Sequence, residues 1–214
     1  DIELDPQNPN IVYVGTGDPN ISGYPFIGDG LWKSTNGGQT WQHLGLENQR
    51  IVSKILVHPT NANILYAATM GLPFERNNDR GLYKTTNGGQ TWQQVLFVSD
   101  STGIIELAMS PNDPNVIYAA AWDRIRNNQE SLVSGKNARI WKTVNAGANW
   151  TMLSGGLPEG ENSRIGLSVS AGNPNYLASV YVDTTLNIGG IYTTSDGGNN
   201  WSPPRARSIK LRST

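Results

Sequence analysis

Apolar residues fall along this chain in short alternating runs, broken by clusters of proline, asparagine and glycine. Nowhere does a helical period persist over three turns. Alternation with period two puts successive side chains on opposite faces of a strand, so the pattern predicts an all-β protein. The 24 glycines and 12 prolines mark where those strands turn.

The runs repeat. The segment from Gly30 through Leu31, Trp32, Lys33, Ser34, Asn36, Gly38 and Thr40 to Trp41 returns from Gly81 to Trp92, with Thr85, Asn87, Gly89 and Thr91 in register. It returns more loosely from Arg139 to Trp150, with Asn145 and Gly147, and again from Gly190 to Trp201, with Asp196 and Gly198. The closing tryptophans lie 51, 58 and 51 residues apart. A second element recurs in phase: an Asn/Pro turn opens at Asp5, His58, Ser110 and Ser170, each followed by an apolar run.

Each unit reads as four strands, A to D. In the second unit, A is Ile55-Leu56-Val57, B starts at Ile64 after the turn, C starts at Gly81, and D opens at Thr91-Trp92. Four strands in about 50 residues make one blade of a β-propeller. The expected fold is therefore all-β, a propeller unit over 1–203 built from four four-stranded antiparallel blades at about 1–46, 51–97, 103–153 and 164–203. A basic tail over 204–214 lies outside the pattern and reads as poorly ordered or appended.

The C–D hairpin resembles the Asp-box of sialidase-like and sortilin-like propellers, Ser/Thr-x-Asp-x-Gly-x-Thr-Trp. Asp196 matches its aspartate, and Asn36, Asn87 and Asn145 replace it elsewhere. Asparagine still accepts turn N–H bonds, so the fold implication survives. The whole repeat is similar to the bacterial secreted BNR-repeat proteins related to the sortilin propeller, within the sialidase and xyloglucanase-like superfamily. That resemblance implies a secreted or cell-surface location.

Within the hairpins, glycine is kept in all units at Gly38, Gly89, Gly147 and Gly198, whereas the preceding Gly37, Gly88 and Gly197 give way to Ala146 in the third. The kept position is expected to carry the positive φ. The four tryptophans are expected to staple their own hairpins. His58 reads as a turn acceptor, and His43 has no partner motif.

Composition narrows the chemistry. A net charge of −1 gives no reason to expect nucleic acid as a partner. No apolar run is long enough to span a membrane. Zero cysteine excludes disulfides and thiolate chemistry. Arg205, Arg207, Lys210 and Arg212 concentrate base in the last ten residues, leaving 12 bases against 17 acids in the rest. Neither a metal nor a cofactor is expected.

A–B turns and C–D hairpins should share one face, and the variable B–C loops, over 17–29, 70–80, 122–138 and 182–189, the other. Loops that vary on a fixed scaffold carry function. They offer Tyr24, Phe26, Phe74, Arg76, Trp122, Asp123 and Arg124 as ligand contacts, aromatic and charged groups of the kind that line a carbohydrate cleft. Asp18 and Asp29 are the candidate catalytic carboxylates, Asp18 because xyloglucanase-like propellers carry an aspartate after strand B of a first blade. Glycoside hydrolysis needs two opposed carboxyls. The leading expectation is a non-catalytic scaffold binding glycan or protein through this face, with a glycoside hydrolase, or part of one, as the alternative. The Arg-Ile-Pro-type motif of sialidases is absent.

Propellers of the resembled families have six or more blades, so four would leave apolar end faces open. They would be covered by closure into a small ring, by further blades of a longer parent chain, or by pairing of two chains. Pairing is favoured because blades matched to a wide ring have the wrong wedge angle for a ring of four.

Overall fold

The computed structural model describes residues 1–21 and 26–203. Tyr24 and the basic tail beyond residue 203 lie outside the described residues. All described secondary structure is β, as expected.

The first sheet has the order β1 (Ile2–Asp5), β2 (Asn8–Gly15), β3 (Leu31–Ser34), β4 (Gln42–His43). The second runs β5 (Val52–Val57), β6 (Leu65–Thr69), β7 (Gly81–Thr85), β8 (Gln93–Leu96). The third begins with β9 (Thr102–Met109) and β10 (Ile117–Asp123). After a small loop hairpin of β11 (Ile125–Arg126) and β12 (Ser131–Leu132), it continues with β13 (Ile140–Thr143) and β14 (Thr151–Met152). The fourth holds β15 (Ile165–Ser170), β16 (Asn173–Val182) and β17 (Ile188–Thr194), and its last strand is reduced to a bridge between Thr193 and Ser202. All pairings are antiparallel. The outermost strands β4, β8 and β14 start after the tryptophan of each hairpin, and Trp92 and Trp150 leave the ladder to pack on the cores.

One backbone bond ties each blade's turn to its own hairpin. The N–H of Gly37 donates to Asn10 O, Gly88 to Asn63 O, Ala146 to Asn115 O and Gly197 to Asn175 O, all at 2.8–2.9 Å. Turns and hairpins therefore emerge together, and the B–C loops opposite.

Inside each hairpin the polar groups are satisfied locally. Thr85 Oγ1 donates to Asn87 Oδ1 (2.8 Å) and accepts from Gly89 N (3.0 Å), while Asn87 Oδ1 also accepts Thr91 N (3.0 Å). Ser34 and Asn36, Thr143 and Asn145, and Thr194 and Asp196 repeat this arrangement. His58 Nδ1 likewise accepts Thr60 N in its turn. The glycine expectation needs correction. Both hairpin positions have positive φ: Gly88 is at 70° and Gly89 at 93°, while Ala146 sits at 55° before Gly147 at 91°. The first position falls in the small left-handed basin that an L-residue can occupy, and the second lies beyond it.

The tryptophans also depart from expectation. Trp92 and Trp150 pack on the core built with the preceding blade, and Trp201 joins the core that the third and fourth blades share. Trp92 Nε1 donates to Leu44 O of the first blade (2.8 Å). Only Trp201 Nε1 bonds its own hairpin, at Gly198 O. Trp41 has no described blade before it and is 41% exposed.

Three core clusters fill the spaces between successive sheets, and each fully buried side chain of this kind contributes ~1.5–3 kcal/mol. The innermost strands β1, β5, β9 and β15 pack in succession, while β1 and β15 make no comparable contact. The four blades thus form an arc. Ile2, Leu4 and Trp41 are exposed on the first blade, and Val180 and Ile191 on the last.

Candidate functional site

The loop face is built by bonds that cross the arc. From the first blade, residues Asp18 to Ile21 reach over the third and fourth. Arg124 Nη2 donates to Ile21 O (2.8 Å), Arg126 Nη1 to the same oxygen (3.2 Å), and Arg164 Nη1 to Asn20 Oδ1. The Ile21 side chain is fully buried, in a cluster that joins Ile51 and Met70 of the second blade to the core of the third and fourth. One apolar residue of the first loop is thus buried among the later blades, with two arginines on its carbonyl and a third on the neighbouring Asn20 side chain.

Beneath this loop lies a second fastening. Arg80 is fully buried and spreads its guanidinium over four carbonyls, those of Ser101, Arg124, Leu72 and Glu75. Burial lowers its pKa to about 10, so it stays charged at neutral pH. Buried Asp123 accepts from Thr102 Oγ1 and from Asn137 N (2.9 Å). Trp122 is buried at the end of β10, under the Arg124 guanidinium at 5.6 Å, with its Nε1 on Val133 O. Burial and neighbouring Arg126 lower the Arg124 pKa, and the Asp18 charge opposes that fall.

Trp122, Asp123 and Arg124 were expected as ligand contacts on a solvated loop. They are instead buried framework, because β10 runs on through Asp123 and the loop starts later. Phe26 is 81% exposed, and Phe74 is exposed on the second loop. Arg76 is half-exposed and bridges Asp100 (3.1 Å) and Glu130 (2.6 Å), tying the second loop to the third blade. Asn127 Nδ2 adds a bond to Phe74 O.

The two candidate catalytic carboxylates have different surroundings. Asp18 caps its own turn, accepting Asn20 N (3.0 Å), and lies in the field of Arg124. Asp29 accepts from Trp32 Nε1 (2.9 Å) and Thr16 Oγ1 (3.1 Å), and its backbone oxygen contacts His43 Nε2 (2.6 Å). The Trp32 bond above all holds its carboxyl below the usual range. That ionised group is an acceptor, unsuited to acid catalysis near neutrality. The carboxyl that burial raises is Glu3, on β1 beside Lys54. Among the described residues no cluster of three His, Cys, Asp or Glu could hold a metal.

Sequence reasoning missed the roles of Arg80, Asn137 and Ile21. The position before strand C is Asp29, Arg80, Ala138 and Gly189 in the four units, so the repeat carries no signal that one of them is a buried anchor.

Over 94% of the chain, a xyloglucanase of Acetivibrio thermocellus is 25% identical and one of Hypocrea jecorina 26%. A probable oligoxyloglucan-reducing end-specific xyloglucanase of Neosartorya fischeri is 24% identical over 70% of it. The chain spans only 24%, 19% and 23% of these relatives' lengths. Among solved structures, an ancestral GH74 enzyme superposes with a TM-score of 0.71 over 94% of this chain and 23% of its own, at 24% identity. The GH74 enzyme of Niastella koreensis gives 0.68 over 94% of this chain and 28% of its own, at 22% identity. These superpositions establish the propeller fold. The family model described as Sortilin, neurotensin receptor 3, matches residues 29–157, more than half of the chain, and the protein accordingly belongs to the Sortilin-Vps10 family.

Proposed function

We propose that this chain is a section of a secreted, glycoside-hydrolase-type propeller acting on β-glucans of the xyloglucan class. Its loop face binds the polysaccharide, and Asp18 is the carboxylate it brings to the reaction. The observation that carries this reading is the sequence relationship to the xyloglucanases, which runs along 70–94% of the chain. The loop face supports it: exposed Phe26 and Phe74 offer stacking surfaces, and the loop bearing Asp18 is fastened across three blades rather than left mobile. Positioned carboxylates need such support from locked neighbours. The chain spans about a quarter of these relatives, and this reading requires the opposed second carboxyl to come from a longer protein.

A non-catalytic scaffold is the second reading. It is favoured by the engagement of Asp29 with Trp32 and Thr16, which leaves it a poor partner for Asp18. Calorimetry with xyloglucan oligosaccharides, combined with assay of reducing-end release, separates the two. The first reading expects binding weakened by Phe74→Ala, and release in the longer protein abolished by Asp18→Asn. Release that survives Asp18→Asn removes Asp18 from the reaction, binding with no release leaves a scaffold, and no β-glucan binding at all overturns both glycan readings.

A further inference from the structure

Between successive blades, on the hairpin face, lies a recurrent latch. In the second blade Tyr66 OH (3.1 Å) and Lys84 Nζ (2.8 Å) both donate to Ala146 O in the hairpin of the third. In the third blade Tyr118 OH (3.0 Å) and Lys142 Nζ (2.7 Å) both donate to Gly197 O in the hairpin of the fourth. In each pair the ammonium lies about 5.4–5.5 Å from the tyrosine ring centroid. The ring steers the cation, and the two donors converge on one peptide oxygen.

The first blade carries the same pair, Tyr13 and Lys33, in the same stacking at 5.3 Å. Here nothing is latched. The Tyr13 hydroxyl is buried without an acceptor. Among the described residues Lys33 makes no hydrogen bond or ion pair and rests on the Tyr13 ring. Leaving a buried donor unmet costs ~1–3 kcal/mol, so the pair is primed for an oxygen from elsewhere.

Beside Lys33 the groove opens into a cavity of about 490 Å³, within the ~300–1,000 Å³ range of small-ligand sites. Gln42, His43, Gln90, Thr91 and Trp92 complete the wall, and no acidic side chain contributes to it. Trp92 is held rigid by its bond to Leu44 O. The equivalent groove at Lys84 is smaller, at about 400 Å³, has no aromatic ring, and carries Ala148 where this one has Gln90. One free cation, amide and hydroxyl donors and a fixed indole suit a sugar ring bearing a carboxylate.

We propose that the groove between the first and second blades binds an acidic sugar, with its carboxylate on Lys33 and its ring against Trp92. This site lies on the face opposite the loops and stands or falls independently of the function proposed above. The test is titration of the full chain with trigalacturonate at 0.15 M salt, read by calorimetry and by the Trp92 indole N–H resonance. Saturable binding is expected, weakened at least tenfold by Lys33→Gln and several-fold by Gln90→Ala, which copies the third blade and should fold. Phe74→Ala, on the other face, should leave it unchanged. Cellotriose, neutral, should not shift the Trp92 indole resonance. Absence of saturable trigalacturonate binding, or binding unaffected by both groove variants, overturns the proposal. Acetate binding as tightly as the trisaccharide would overturn the sugar and leave a bare carboxylate site.

Discussion

The two faces of this arc solve the same problem, satisfying backbone polar groups in turns and loops, by opposite means. On the hairpin face, Thr85, Asn87, Gly89 and Thr91 bond one another within four residues, and all four units repeat the arrangement. On the loop face, Arg124 and Arg126 reach Ile21 from 103 and 105 residues away, and Arg164 reaches Asn20 from 144. Local satisfaction makes a hairpin that any blade can reuse. Long-range satisfaction makes a surface that exists once, and only when the blades are assembled. A recognition surface can vary here because the repeated face holds each blade together without it.

The largest expected effect is on the loop face. Arg80→Ala removes a donor from four carbonyls, leaves the Arg124 carbonyl with none and opens a cavity, costing about 4 kcal/mol. Urea unfolding at neutral pH measures it, and a loss below about 1 kcal/mol would mean that the carbonyls find other partners. Gly89→Val comes next. A Cβ there would stand 3.0 Å from Leu44 Cδ1, at a φ of 93°, so about 3 kcal/mol is expected. Gly88→Ala should cost only about 1 kcal/mol, since Ala146 already occupies the equivalent site at 55°. Equal melting temperatures for the two variants would break the distinction between the positions.

Arg124→Met sharpens the contrast more gently. Global stability should fall by about 1–2 kcal/mol, while amide exchange at Asp18 and Ile21 accelerates and that of the hairpins does not. Uniform acceleration would show that the faces are not independent. The smallest effect distinguishes one hairpin from its sisters. Bonds from the Asn200 backbone and side chain hold the Asp196 carboxyl well below the usual range. Its contribution is fully present above the unfolded carboxylate value near 4 and is lost as pH falls through the lower folded value. Asp196→Asn should therefore leave the neutral-pH melting temperature unchanged and flatten its decline on acidification. An identical acid profile in the variant would show that Asp196 does not govern it.

Asn36, Asn87, Asn145 and Asp196 were legible as turn formers because their partners lie beside them in the chain. The loop face was only half legible. Phe26 and Phe74 project as the loop composition implied, yet Trp122, Asp123 and Arg124 share that composition and are buried. What hides them is the extension of β10 and the Ile21 loop laid over it, neither of which has a local signature. The tryptophans teach the same lesson, since Trp92 keeps its hairpin spacing but spends its N–H on the blade before.

By itself, then, the sequence determined the strands, the four hairpins and the all-β repeat, because period-two alternation and turn hydrogen bonds act over a few residues. Only the tertiary structure decided which charged groups became framework, that Tyr13 and Lys33 kept free the donors their sister pairs spend, and that among the described residues Ile2 and Ile191 stayed exposed on the first and last blades. Those outcomes depend on which blade stands next to which, and that adjacency is set by packing across tens of residues, where identical local patterns meet different neighbours.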